Sequence, residues 1–316
     1  MRKLGAIAIG GILTAAFASA ALADFPSRTV TYVIPFNPGG ASDETARMKE
    51  SFFTELTGQQ LVISYRPGAG GAVGWANLND YAGDGYTIMG VNLPHIITQP
   101  LLGGVGYETE DIVNVHIFHY TPHALVVRSG SEFETLEDLI EVASNNPGAL
   151  TFAGSGSHSA NHLAQQAFDQ LAGVTTTYVP MSGAAPAQAA LLGGHITGAW
   201  LDTASVARLG DQVRMLAGAM EERISLFPDV PTFTELGIDL VGGTHRGVAV
   251  PQSMPPELRA AWSELIAAIA TNPEFIEKME AGGYVVTNIR YEDMDAFMSD
   301  RIQDYTNLLE QMGVLN

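Results

Sequence analysis

Three times along this chain a short β-branched or aromatic run stops in a loop of Gly, Ser, Ala and Pro, and a helical pattern begins directly after it. Val30 to Ile34 runs into Pro35-Phe36-Asn37-Pro38-Gly39-Gly40-Ala41-Ser42. Leu150 to Ala153 runs into Gly154-Ser155-Gly156-Ser157-His158-Ser159, and Thr176 to Val179 into Pro180-Met181-Ser182-Gly183-Ala184-Ala185-Pro186. Between and beyond them, strand and helix patterns keep alternating at the length of βαβ units. That predicts an α/β fold with mostly parallel sheets covered by helices on both faces. The alternation falls into two series, one opening at Val30 and one at Ala124, and the chain ends in helical patterns over 256–271 and 291–312. Two lobes follow, residues 24–123 with 247–316 forming one and 124–246 the other, with a ligand cleft expected between them.

The first residues constrain the compartment. Arg2 and Lys3 precede a short apolar run from Leu4 to Phe17, and Ala21-Leu22-Ala23 offers an A-x-A cut before Asp24. Residues 1–23 therefore read as a secretory signal peptide cleaved after Ala23, too short and wrongly flanked for a span. No cysteine follows to carry a lipid, so a free periplasmic protein is expected. Removing the segment takes Arg2 and Lys3 with it and moves the formal charge from −19 to −21.

That acidity excludes a nucleic-acid partner, which needs clustered Lys and Arg, and disfavours docking on anionic lipid. It leaves room for a small anion, because a dry site answers to local dipoles more than to net charge. With no Cys in the chain, disulfides, thiolate catalysis and Cys-built zinc sites are ruled out. A hydrophobic share of 46% and a mean hydropathy of +0.12 suit a folded core.

The three loops carry the chemistry. Missing side chains let a ligand approach the backbone, helix N-termini aim free N–H groups at it, and Ser42, Ser155, Ser157 and Ser182 add hydroxyls. Strands that run parallel would bring these loops to one sheet edge, where up to three helix dipoles meet one anion. Enzyme templates fail: no G-x-S-x-G surrounds these serines, the glycines near Gly68 break the G-x-G-x-x-G spacing at Val73, and no P-loop lysine exists. His158 and His162 lack the intervening glutamate of a zinc motif, so no metal and no cofactor is expected. His116, His119 and His123 fall where the chain crosses between lobes, with alternation putting the first two on opposite faces; packing is the expected role.

Taken in order, the blocks resemble the periplasmic substrate-binding proteins of tripartite tricarboxylate transporters, the Bug receptors. The resemblance rests on Pro35-Phe36-x-Pro38-Gly39-Gly40-x-x-Asp43, Arg66-Pro67-Gly68-Ala69-Gly70-Gly71, Asp84-Gly85-Tyr86-Thr87 and Gly154-Ser155-Gly156-Ser157. It continues through Val179-Pro180, Gly183-Ala184-Ala185-Pro186-Ala187, Leu191-Leu192-Gly193-Gly194, Phe227-Pro228-Asp229-Val230-Pro231-Thr232 and Arg246-Gly247-Val248-Ala249-Val250-Pro251. The resemblance implies a two-lobed, monomeric Venus-flytrap receptor without catalytic residues. It would close on a small carboxylate, di- or tricarboxylates foremost, and hand it to a membrane permease.

Carried onto this sequence, the family's ligand contacts are Phe36, Gly39, Gly40, Ala41 and Ser42 from one lobe. From the other come Gly154, Ser155, Gly156, Ser157, Ser182, Gly183 and Ala184, with Asp202 near the cleft. Asn92 and His95 end a strand on the same predicted edge. Arg246 is read either as a contact for a second carboxylate or as an inter-lobe ion pair. Met181-Ser182 where relatives carry Tyr-Lys, and Trp200 where they carry a smaller residue, leave the far end of the pocket open. The rival readings are the ligand-sensing half of a cytoplasmic regulator, which the signal segment opposes, and a secreted hydrolase using Ser157 with His158 or His162.

Overall fold

A computed structural model describes residues 25–157, 159–220, 222–224 and 226–315. Residues 1–23, read from the sequence as a signal peptide, and His158 lie outside the described residues. Ten strands are present among them: β1 Val30–Ile34, β2 Leu61–Tyr65, β3 Thr87–Leu93, β4 Val113–Arg128, β5 Thr151–Gly154, β6 Thr177–Pro180, β7 Gly198–Asp202, β8 Val213–Gly218, β9 Gly243–Val250 and β10 Val285–Ile289. The helices are α1 Ala41–Thr57, α2 Ala72–Ala76, α3 His95–Leu102, α4 Leu136–Asn145, α5 Ala160–Ala172, α6 Ala184–Leu192, α7 Thr203–Leu209, α8 Pro256–Ala270, α9 Pro273–Ala281 and α10 Met294–Gln311.

Two lobes share one long strand. The first part of β4 pairs with β9 and β10, and its last residues, His123 to Arg128, pair with β7 and β8. The strand order β2-β1-β3-β9-β4-β7-β5-β6 thus runs from one lobe through β4 into the other. Parallel pairing is confined to β2-β1-β3 and β7-β5-β6, and β9, β10, β7 and β8 all meet β4 antiparallel. The sheets are therefore mixed, where the alternation pattern led us to expect mostly parallel ones. The cause is the crossing itself: β4 leaves one lobe as β9 returns to it, so the two must run in opposite directions.

Each lobe has its own apolar core. Trp75, Trp262, Phe53, Phe118 and Phe275 fill the first, and Phe152, Phe168, Trp200 and Phe233 the second. Trp262 donates from Nε1 to the Gly85 carbonyl at 3.0 Å, so its polar atom is satisfied inside the core. The sequence reading placed β1, β5 and β6 to within a residue or two, but not α9 or β10. His116, His119 and His123 are all buried, as packing requires, and register shifts at Asn114/His116 and Ile117/His119 interrupt the alternation on which their facing was argued.

One core position is electrostatically costly. Lys49 on α1 is 1% exposed, its Nζ donates to the Thr45 carbonyl at 2.8 Å, and it lies 3.4 Å from the centre of the Phe118 ring. No carboxylate pairs with it among the described residues, and burial holds its pKa well below the usual lysine value. In the native state Lys49 thus gives up its proton at a pH where the unfolded chain still keeps one. Stability then rises with pH from that depressed pKa up to about 10.4. Lys49→Met should stabilise the protein by about 1–4 kcal/mol at neutral pH and flatten the rise of melting temperature between pH 7 and 9. Calorimetry would test this, and a melting point lowered by several degrees would contradict it.

Candidate functional site

The loops after β1 and β6 meet face to face. A Cβ built at Gly40 would lie 3.7 Å from Ala184 Cβ, and one at Gly39 would lie 3.9 Å from Ala185 Cβ. Asn37 Nδ2 crosses the gap to Ser182 Oγ at 3.0 Å. Helix α1 begins here with Gly40 as its N-cap, and α6 with Gly183; neither has a side-chain cap. Asp43 and Glu44 return their amides to the Gly40 carbonyl. The amides of Ala41 and Ser42 have no helical carbonyl to reach, nor do those of Ala184 and Ala185, since a first turn supplies none. Two uncapped helix N-termini therefore point at one space.

Asp43 holds the first loop. Its carboxylate, buried, accepts from Gly39 N at 2.8 Å, Arg47 Nε at 3.0 Å and Tyr65 Oη at 2.7 Å. The Gly39 amide is consequently taken and cannot serve a ligand.

The loop after β5 closes the third side. Ser155 Oγ donates to Asn161 Oδ1 at 2.6 Å and lies 3.4 Å from His95 Nε2 of the opposite lobe. Asn161 Nδ2 in turn donates to the Trp200 carbonyl at 2.8 Å. Gly156 packs directly against the backbone of Gly70, where a Cβ would come within 2.9 Å of Gly70 Cα. Ser159 caps α5, accepting from His162 N at 3.3 Å, so that helix terminus is occupied. His162 stacks on Tyr178, 4.3 Å between ring centres.

Strand register builds the floor. Asn92 on β3 and His119 on β4 flank Arg246 on β9, and His123 on β4 faces Asp202 on β7. Arg246, 7% exposed, donates from Nη2 to Asp202 Oδ2 and from Nη1 to Thr121 Oγ1, each at 3.0 Å. Asp202 Oδ1 accepts from Ser205 N at 2.8 Å and so caps α7. His123 Nε2 lies 2.9 Å from Thr244 Oγ1. Burial, reinforced by the nearby Arg246 charge, pushes His95 down to about 3. Burial also brings His123 to about 4, although Asp202 pulls the other way, so both rings are neutral at pH 7. Between walls and floor the free cavity is about 30 Å³, room for roughly one water.

Of the residues chosen from sequence, Phe36, Gly40, Ala41, Ser42, Asn92, His95, Ser155, Ala184, Asp202 and Arg246 line this cavity. Gly39, Gly154, Gly156, Ser182 and Gly183 support it from behind or across the lobe contact, and Ser157 is exposed and outside the lining. The lining adds Asn37, His123, Asn161, Trp200, Leu201 and Thr244. Arg246 on β9 forms an ion pair with Asp202 on β7.

A cleft between two α/β lobes, floored by the strand they share and rimmed by uncapped helix N-termini, defines a solute-binding receptor of the Venus-flytrap class. A sequence profile described as the tripartite tricarboxylate transporter family receptor matches residues 45–314, and the chain belongs to that family. BugT of Bordetella pertussis is 28% identical over 310 residues, covering 96% of this chain and 95% of the relative. Among solved structures, Rpa4515 of R. palustris with adipate shares 26% identity at a TM-score of 0.87, covering 92% of this chain and 98% of that one. The periplasmic binding protein BugD shares 25% at 0.86, covering 92% and 99%. Receptors of this kind bind solutes and catalyse nothing, which sets aside the hydrolase reading.

Proposed function

We propose that this protein is exported by residues 1–23, cleaved after Ala23, and works in the periplasm as a monomeric receptor. Residues 24–123 with 247–316 form one lobe and 124–246 the other. The receptor captures a small carboxylate and delivers it to the permease of a tripartite tricarboxylate transporter. The family's name and the adipate bound to Rpa4515 point to di- and tricarboxylates as the first chemistry to try.

The observation that carries the reading is the meeting of the α1 and α6 N-termini, where a Cβ added at Gly40 would lie 3.7 Å from Ala184 Cβ. Main-chain amides and aligned helix dipoles there receive one carboxylate without a cation. The cavity lies between the two lobes, so a ligand that fills it touches both. The ligand therefore enters an open form and stabilises the closed one by bridging both lobes.

A thermal-shift screen over organic acids tests the reading. A true ligand at a hundredfold excess over Kd adds about 2.7 kcal/mol and should raise the melting temperature by roughly 5–10 °C. No shift with any carboxylate would overturn the assignment. In the same assay Ser155→Ala should weaken the ligand by about 1 kcal/mol, and Ser157→Ala should leave it unchanged.

A further inference from the structure

We infer that this cleft selects acids bearing a single carboxylate and an uncharged polar far end, in preference to dicarboxylates of the same length. The inference rests on the carboxylate-receptor reading and concerns what the second end of the ligand meets. Among the described residues, Arg246 is the one cation in the cavity lining, and its charge is already met by Asp202 at 3.0 Å. Asp202 is not free to swing aside, because its other oxygen caps α7 through Ser205 N at 2.8 Å. A second carboxylate drawn to Arg246 would have to sit beside the Asp202 carboxylate in a dry pocket, where like charges repel strongly.

The neighbouring cations offer no alternative. Arg47 is held by Asp43, and Arg208 reaches Glu44 across the lobes, while Tyr284 Oη donates to the other Glu44 oxygen at 2.6 Å. What remains around the floor is neutral and polar: Asn92, His123 and Thr244, with the buried Arg246 Nε lacking a partner. Burial keeps the two cleft histidines unprotonated at neutral pH, so neither supplies the missing positive charge. The amide cradle thus answers one negative charge, and the floor answers a hydroxyl, amide or carbonyl.

Matched ligand pairs decide the matter. Isothermal titration at pH 7.5 would compare succinate with succinamate and adipate with its monoamide. The monoamide should bind at least tenfold tighter than the diacid in whichever length fits. Asp202→Asn keeps an oxygen to cap α7 but releases Arg246, and should move the ratio at least tenfold towards the diacid. Wild-type protein that binds the diacid as tightly as or more tightly than its monoamide overturns the inference, whether or not the variant folds. An unchanged ratio in folded Asp202→Asn overturns it as well. If neither member of any pair binds while other carboxylates also fail in the thermal screen, the receptor reading itself falls and takes this inference with it.

Discussion

Lowering the pH from 6.5 to about 5 should bring this protein close to unfolding, because the native state holds five histidines as neutral rings, four of them buried and His245 half-buried. Burial is the largest cause for each. It takes His116, His123 and His245 down to about 4 and His95 to about 3, and it holds His119 well below the ordinary value. Arg246 adds to the effect at His95, His119 and His123, Arg290 and Lys49 at His116, and Arg301 at His245. The sign follows from proton counts. Between about pH 6.5 and 4 the unfolded chain binds protons that these native rings refuse, so stability falls as pH falls. One such ring gives up about 1.4 kcal/mol per pH unit below 6.5, or about 2 kcal/mol at pH 5.

Five together remove on the order of 10 kcal/mol at pH 5, comparable with the whole stability of an ordinary domain. Asp202, whose pKa is lowered by Arg246 against the opposing effect of burial, adds acid sensitivity only below about pH 4. The prediction is checked by following tryptophan fluorescence and circular dichroism against pH. A cooperative loss of structure centred between pH 4.5 and 5.5 is expected. A midpoint below pH 3.5 would mean that these rings take up protons inside the fold without cost.

The histidines also show what the sequence could and could not convey. The positions of His116, His119 and His123 in a crossing strand were legible, because β-branched and aromatic neighbours surround them. Their depth was not, because it depends on β9, β10 and α8 closing over β4 from distant parts of the chain. The three glycine loops were legible for a local reason: each follows a β-branched or aromatic run and precedes a helix, a pattern that needs no tertiary information. The floor of the cleft was only half legible. Arg246 and Asp202 stood out as charges, but their pairing, and the presence of His123 and Thr244 beside them, follow from the register of β4 against β7 and β9. Two missed elements had local signals after all. Asn272-Pro273 caps and opens α9, and the β-branched run Val285-Val286-Thr287 follows Gly282-Gly283 into β10.

Gly40→Leu should leave the protein folded and abolish carboxylate binding, lowering affinity at least a hundredfold, about 2.7 kcal/mol. The position separates the two effects because its backbone is ordinary. Gly40 has φ −100° and ψ 174°, an extended conformation open to any residue, and it makes no side-chain cap that a substitution could remove. A Cβ there reaches only Ala184 Cβ, at 3.7 Å, so a single methyl fits the lobes as they stand. The rest of a leucine has nowhere to go except the space that the amides of Ala41, Ser42 and Ala184 face. Gly39 would be a poorer choice. Its φ of +85° penalises any side chain before binding is considered, and its amide is already bound to Asp43. Calorimetry should still show a cooperative melting transition, because Gly40 lies at the contact between the lobes and not within either apolar core. Titration with the acid that stabilises the parent should then show no heat. Undiminished binding in a folded Gly40→Leu variant would place the carboxylate elsewhere and remove the amide cradle as the basis of recognition.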